Sequence, residues 1–303
     1  MLRAFFLYLS TQPGLQRRFT HLRLTRRLVR RFIAGETLDD ALQAVQKLNH
    51  DGIRASLNVL GENVTSHEEA DAALQEYQRE IDAIRQRKLD ANVSIKLTQL
   101  GLDLDFERCY ERVAKLVQLA DQAGFDVEVD MENSAYTDVT LNLVRRIREH
   151  YSNIGVAIQA YLYRSETDID DLMKRDIKIR LVKGAYKEPP DRAFPRKIQV
   201  DQNYARLLKR LIERAPRVAI ATHDIQLIDR ARAWLREQNR GPGSYEFQMI
   251  YGIRRDLQTS LVREGWPLRV YVPYGTHWYP YFMRRLAERP ANVLFLLRHL
   301  FRR

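Results

Sequence analysis

The sequence predicts a (β/α)8 barrel with additional helices at its N-terminus. Three observations lead there. Eight short runs rich in β-branched residues recur between residues 53 and 272. Helical stretches rich in Ala, Leu, Glu, Arg and Gln lie between them, the pattern of a parallel sheet. The span they occupy is close to the roughly 250 residues that such a barrel needs.

The elements follow in order. Residues 1–35 hold eight arginines (Arg3, Arg17, Arg18, Arg23, Arg26, Arg27, Arg30 and Arg31) and no Lys, Asp or Glu. Among them Leu15, Phe19, Leu22, Val29 and Ile33 recur near helical spacing, which predicts an amphipathic basic helix. Two readings stand: a helix docked on the barrel with a solvated arginine face, or one lying on an anionic membrane surface. The opening apolar run is too short for a secretory signal. An Arg-rich, acid-free start also fits a mitochondrial transit peptide, but it runs on into what reads as an integral helix. Gly35 is read as a helix C-cap, and Thr37-Leu-Asp-Asp as the start of a second helix running to about Leu48. Residues 1–50 are therefore expected to form a helical arm on the barrel, and 51–303 the catalytic barrel itself.

Strands are predicted at 53–60, 93–97, 126–131, 154–160, 177–183, 218–222, 245–250 and 268–272, with helices such as 67–88, 106–123, 138–150, 201–214 and 225–238. No linker, repeat or low-complexity tract interrupts them.

Composition removes whole classes. Apolar residues make up 45% and charged residues 29%, which is ordinary for a globular chain and excludes disorder, collagen and coiled coil. The single cysteine, Cys109, excludes a disulfide framework and any multi-cysteine zinc or iron–sulfur centre. The net charge is +11, but eight of those charges lie in residues 1–35 and three more at Arg298, Arg302 and Arg303. The body is balanced, so no nucleic-acid partner is expected. No stretch reaches the ~18 apolar residues of a membrane span. There is no GxGxxG, GxxxxGK[ST] or HExxH, which disfavours a nicotinamide Rossmann enzyme, a P-loop NTPase and a zincin, and no metal site is expected.

Barrel enzymes carry their chemistry at the C-terminal ends of the strands. Lys96, Asp130, Arg180 and Lys183 lie within or at the end of apolar strands there. An ionised group inside a barrel must pair or bind something, and four together favour a polar ligand site over one structural ion pair. Beyond the eighth strand, Arg284 and Glu288 are i,i+4 neighbours on a predicted helix. Arg284 and Arg285 differ by one ~100° step, so both reach one helix edge. Paired arginines beside Lys96 suit a carboxylate, which accepts bidentate forks. Gly184-Ala185 is a weak signal for backbone approach to a phosphate.

Together, Lys96-Leu-Thr-Gln-Leu-Gly101, Asp130-Met-Glu132, Arg180-Leu-Val-Lys-Gly-Ala-Tyr186, Ala221-Thr-His-Asp224, Phe247-Gln248 and Tyr271-Val-Pro-Tyr-Gly275 followed by Arg284-Arg-Leu-Ala-Glu288 resemble the proline dehydrogenase family, in its short monofunctional bacterial form. The resemblance covers essentially the whole chain. It implies a distorted (β/α)8 barrel that binds FAD non-covalently and oxidises L-proline to 1-pyrroline-5-carboxylate, the first step of proline breakdown. Hydride passes from proline C5 to flavin N5, and electrons go on to a membrane quinone. It implies substrate-carboxylate binding by Lys96, Arg284 and Arg285, supported by Asp130 and Glu288, and a charge-stabilising role for Arg180 beside the flavin. FAD contacts fall on Met131, Gln159, Arg180, Val182, Lys183, Gly184, Ala185, Thr222 and His223. Tyr186, Ile250 and Tyr271 wall the proline ring, and Glu62 pairs with Arg284 as a gate. In relatives that oxidise hydroxyproline a smaller residue replaces this tyrosine, so Tyr271 favours proline. One departure is Asn133, where an acidic residue is expected; it lies past Asp130, and a small effect follows.

The implied place is the cytoplasm, with peripheral contact to the inner face of the cytoplasmic membrane through the basic helix. Competing readings are a flavin barrel oxidoreductase of the methylenetetrahydrofolate reductase type, a lyase using Lys96 or Lys183 as a Schiff-base amine, and a non-enzymatic basic membrane- or nucleic-acid-binding module. The Arg284-Arg285 pair with Tyr271 argues against the first, and the balanced body with its charged interior against the last.

Overall fold

The computed structural model describes residues 31–288, and for 284–288 the backbone alone. Eight parallel strands close into a barrel in chain order. They are β1 (Arg54–Val59), β2 (Ala91–Ile95), β3 (Val127–Val129), β4 (Ile154–Gln159), β5 (Lys178–Val182), β6 (Val218–Ala221), β7 (Tyr245–Ile250) and β8 (Leu268–Tyr274). β8 returns to β1 in a register running from Arg54 opposite Arg269 to Val59 opposite Tyr274. Each strand overlaps its predicted run.

The surrounding helices are α1 (Leu38–His50), α2 (His67–Gln86), α3 (Phe106–Gln122), α4 (Thr137–Arg148), α5 (Ser165–Lys174), α6 (Lys197–Arg214), α7 (Ile225–Glu237), α8 (Arg255–Arg263) and α9 (Trp278–Glu288). Local chemistry starts several of them. Thr37 caps α1 in a reciprocal box with Asp40. Ser66 and Asp105 cap α2 and α3 by accepting from Glu69 N and Arg108 N. Gly35 has φ +118°, and a side chain there would overlap Asp40. The helix expected before it lies largely outside the described residues, as do the basic residues 1–30.

The strands alternate with period two. One face carries Leu57, Val93, Val127, Val129, Val156, Ile179, Leu181, Val218, Ile220, Phe247 and Val270, buried in one apolar shell with the helices. The other face looks into the barrel and is unusually polar: Asn92, Ser94, Glu128, Lys178, Arg180, Glu246, Gln248 and Arg269, all buried. Barrel interiors are ordinarily filled by Val, Ile and Leu. Here ion pairs fill this one.

Two helices depart from a regular barrel. α1 packs against β8 and β1, where the helix following β8 would otherwise lie. Its buried Ala41, Leu42, Ala44 and Val45 join the main core. With that slot taken, α9 gathers instead with Phe32, Ile33, Leu60 and Ile253 through Trp278, Tyr279, Phe282 and Met283. Leu60 follows β1 and Ile253 follows β7, so this second cluster sits at the C-terminal mouth. The displacement of α9 is the distortion, and it places the first turns of the helix that goes on to carry Arg284, Arg285 and Glu288 at the mouth. Among the described residues, no helix is long and apolar enough to cross a membrane.

Candidate active site

Asp130, directly after β3, is the hub of the mouth. Its Oδ1 lies 2.7 Å from Arg180 NH1 and accepts from Ser94 Oγ at 2.7 Å. Its Oδ2 accepts from Lys96 Nζ at 2.7 Å and from Tyr271 Oη at 2.7 Å. One carboxylate therefore ties together side chains from β2, β5 and β8. The Arg180 guanidinium also lies 5.7 Å from the centre of the Tyr271 ring.

The electrostatics follow from this geometry. Burial acts to raise the Asp130 pKa, but Lys96 and Arg180 outweigh it and hold the carboxyl well below the usual range. Burial acts to lower Lys96, but Asp130, then Tyr271, Glu62 and Tyr186, push its amine well above the usual value. Tyr271 is raised well above its ordinary value by burial and by Asp130, and stays a neutral donor. At neutral pH Lys96 and Arg180 are both charged around the Asp130 carboxylate, and Glu128 lies 3.2 Å from Arg180, so the two cations are matched by two carboxylates.

The expected cofactor contacts line the adjoining strand ends. Met131 follows Asp130, Gln159 ends β4, Val182 ends β5 with Lys183, Gly184 and Ala185 after it, and Thr222 and His223 follow β6. Gln159 Nε2 donates to the Glu132 carbonyl at 3.1 Å, while its buried Oε1 accepts nothing among the described residues. That oxygen is an acceptor available to a bound ligand. His223 Nε2 accepts from Ile250 N at 2.9 Å, which assigns the ring proton of the neutral form to Nδ1 and joins the ends of β6 and β7. Gly184 has φ +108°, and a side chain there would overlap the Tyr161 ring. The glycine is thus required by its backbone and by Tyr161, before any ligand is considered.

Lys183 is half-buried and set apart from the buried cations. Its amine is held by Asp201 of α6 at 2.5 Å and by Asp224 at 2.9 Å. Glu62 lies in the loop after β1 and Tyr186 in the loop after β5; both act on Lys96 electrostatically. Arg284, Arg285 and Glu288 lie on α9, and their side chains are outside the described part.

Three features were not singled out in the sequence. Ser94, two residues before Lys96, is a direct partner of both Asp130 and Arg180. Glu188 clasps two loops together, accepting from Ser134 N at 2.7 Å, from the Ser134 hydroxyl and from Tyr161 Oη at 3.1 Å. A second charged layer, Glu128, Lys178, Glu246 and Arg269, lies beneath the first. Its signal was present as period-two spacing: Glu128 with Asp130, Lys178 with Arg180, Arg269 with Tyr271.

A closed parallel barrel with cations gathered on a buried carboxylate at its C-terminal mouth has the architecture of a (β/α)8 enzyme. The comparisons narrow this. The family model described as proline dehydrogenase matches residues 41–298. The chain is 40% identical to proline dehydrogenase 1 of Bacillus subtilis subsp. natto over 305 aligned positions, covering all of both chains. It is 39% identical to a proline dehydrogenase of Deinococcus radiodurans, over 89% of each. Among solved structures it superposes on proline utilization A of Bdellovibrio bacteriovorus, inactivated by N-propargylglycine, with TM-score 0.82 and 25% identity. That match covers 87% of this chain and 33% of the larger one. The chain belongs to the proline dehydrogenase family, and it corresponds in length to the monofunctional bacterial members.

Proposed function

We propose that the protein is an FAD-dependent proline dehydrogenase that oxidises L-proline to 1-pyrroline-5-carboxylate and passes the electrons to a membrane quinone. The observation that carries this reading is the Asp130 hub with Lys96 and Arg180 at the barrel mouth. Family membership supports the substrate.

The residues fit a flavin. Gln159 offers a buried acceptor oxygen without a partner among the described residues, and Met131, Gln159, Val182 and Thr222 stand at the C-terminal ends of successive strands β3 to β6, with Arg180 on β5 among them. Met131, Gln159, Val182, Lys183, Gly184, Ala185, Thr222 and His223 would hold the cofactor. When bound, the flavin supplies a two-electron acceptor for the hydride that leaves proline C5.

The chain's own residues do the rest. Lys96 takes the substrate carboxylate, held charged by Asp130, and Arg284 and Arg285 complete the clamp with Glu288 behind them. Clamping one end and walling the ring with Tyr186, Ile250 and Tyr271 fixes the donor carbon, so positioning supplies much of the rate. The same cations disfavour a protonated proline nitrogen, leaving the lone pair that drives hydride loss. Arg180 stabilises the negative charge that reduction places on the cofactor. Glu62 closes over the substrate as a gate.

Incubation with L-proline and an electron-accepting dye tests the proposal. Pyrroline-5-carboxylate, trapped by o-aminobenzaldehyde in step with dye reduction, is the expected result; dye reduction without that product would overturn it. For the quinone partner, the basic segment 1–31 brings the enzyme to an anionic membrane face from the cytoplasm. Deleting it should weaken binding to anionic vesicles and spare turnover with dye; equal vesicle binding would remove that role.

A further inference from the structure

The ion pairs at the mouth continue downward through the barrel. Arg180 is gripped from two sides: Asp130 Oδ1 lies 2.7 Å from NH1, and Glu128 Oε2 lies 3.2 Å from NH2. The other Glu128 oxygen is 2.7 Å from Lys178 Nζ. Lys178 lies 3.2 Å from Glu246, which lies 3.0 Å from Arg269 Nε. Charge therefore alternates in sign from Lys96 at the mouth to Arg269 at the base. Four cations (Lys96, Arg180, Lys178 and Arg269) alternate with three carboxylates (Asp130, Glu128 and Glu246), and two further partners flank them: Asp126 lies 3.5 Å from Lys178 Nζ and Arg54 3.8 Å from Glu246.

Glu128 occupies the joint of this chain. It is fully buried. Burial acts to raise its pKa, but Arg180 and Lys178 outweigh it, and the carboxyl stays ionised. Arg180 Nη1 makes that side chain's hydrogen bonds, to Asp130 and to Ser94 Oγ, while Glu128 acts on Nη2 as an ion-pair contact without hydrogen-bond geometry; a second carboxylate there favours one orientation of the guanidinium by charge. In a dry interior such neighbours are poorly screened, so a charge changed one residue below Arg180 is felt above it.

We infer that Glu128 is the positioning residue for Arg180, and that the Glu128–Lys178 pair sets how much positive charge Arg180 presents to the bound cofactor. The inference rests on reading Arg180 as the cation beside the flavin. It gives two opposite signs. Removing the Glu128 charge leaves Arg180 more positive and favours the reduced, more negative cofactor. Removing the Lys178 charge leaves Glu128 free to pull on Arg180 and favours the oxidised form. At an effective dielectric constant of about 20, a unit charge roughly 12 Å away shifts such an equilibrium by about tenfold.

The test is the midpoint potential of the bound flavin, followed spectroscopically in the purified holoenzyme. Glu128→Gln should shift the equilibrium about tenfold toward reduction, about +30 mV for a two-electron couple. Lys178→Met should shift it by a similar amount in the negative direction. The double variant should return to within about threefold of the wild-type equilibrium, since the two substitutions cancel in net charge. If Glu128→Gln does not fold, the sign for Lys178→Met decides alone, because Glu246 keeps its contact with Arg269. A purely structural pair would lower the unfolding temperature of both single variants and leave both potentials unchanged. Unchanged potentials, or shifts of the same sign, overturn the inference while the flavin reading stands. A protein that takes up no flavin overturns both.

Discussion

An Asp130→Asn variant keeps the shape of the hub and removes its charge. The wild-type carboxylate takes four contacts of 2.7 Å, from Ser94, Lys96, Arg180 and Tyr271. An amide has one oxygen to accept with, and its NH2 faces a donor. Removing one partner of a buried ion pair costs about 3–5 kcal/mol, or roughly 5–8 °C in Tm for a chain of this size. The pH dependence is more diagnostic. Asp130 is held below the usual carboxylate range, so its stabilisation is full above about pH 4 and is lost as pH falls through the folded pKa. Lys96 is held above the usual amine value, so its stabilisation is full below about pH 10 and is lost only as pH rises through the folded pKa. Between pH 6.5 and 9.5 neither changes in the wild type.

In the variant, burial remains the largest influence on Lys96 and its strongest counter-charge is gone, so its pKa falls. Once pH passes that lowered value, the amine loses its charge and its hold on a carboxylate. The assay is the ratio of KM for proline, variant over wild type, across pH 6.5–9.5; the ratio cancels the titration of proline's own amine. It should rise with pH, approaching tenfold per unit at the alkaline end. A flat ratio together with a Tm within about 2 °C of wild type would refute the hub as the source of the Lys96 charge.

Gly184→Ala should destabilise the fold and weaken cofactor retention, because φ +108° strains alanine and its side chain meets the Tyr161 ring; normal Tm and flavin content would contradict this. Tyr271→Phe removes one charge-assisted hydrogen bond to Asp130, worth about 1.5–3 kcal/mol, so kcat/KM should fall about tenfold or more; an unchanged value would detach Tyr271 from the site. Cys109 is buried and its thiol is pushed up to about 12, so it should resist thiol reagents at pH 8 until denaturant is added; rapid labelling of the native enzyme would contradict that burial.

Much of this was legible in the sequence because strands of a parallel barrel are covered on their outer face. Runs such as Val127–Val129 and Lys178–Val182 stand out as β-branched even where a charge interrupts them. Lys96, Asp130 and Arg180 were legible because charges inside apolar strands need a partner. The lower layer was harder. Glu128 and Lys178 are 50 residues apart and meet only through the barrel's register. Read alone, either residue could face solvent. Glu188 shows the same limit, since Ser134 lies 54 residues away on another loop. The turn of α9 over the mouth depends on α1 filling the gap between β8 and β1, a competition for one surface that no local pattern encodes.

The central claim is that this barrel mouth takes L-proline against a flavin. The most direct measurement is the visible spectrum of the purified protein, recorded before and after L-proline is added without oxygen. The account expects flavin bands that bleach on addition. Flavin bands that proline leaves untouched, or a colourless protein that takes up no added FAD, would contradict it.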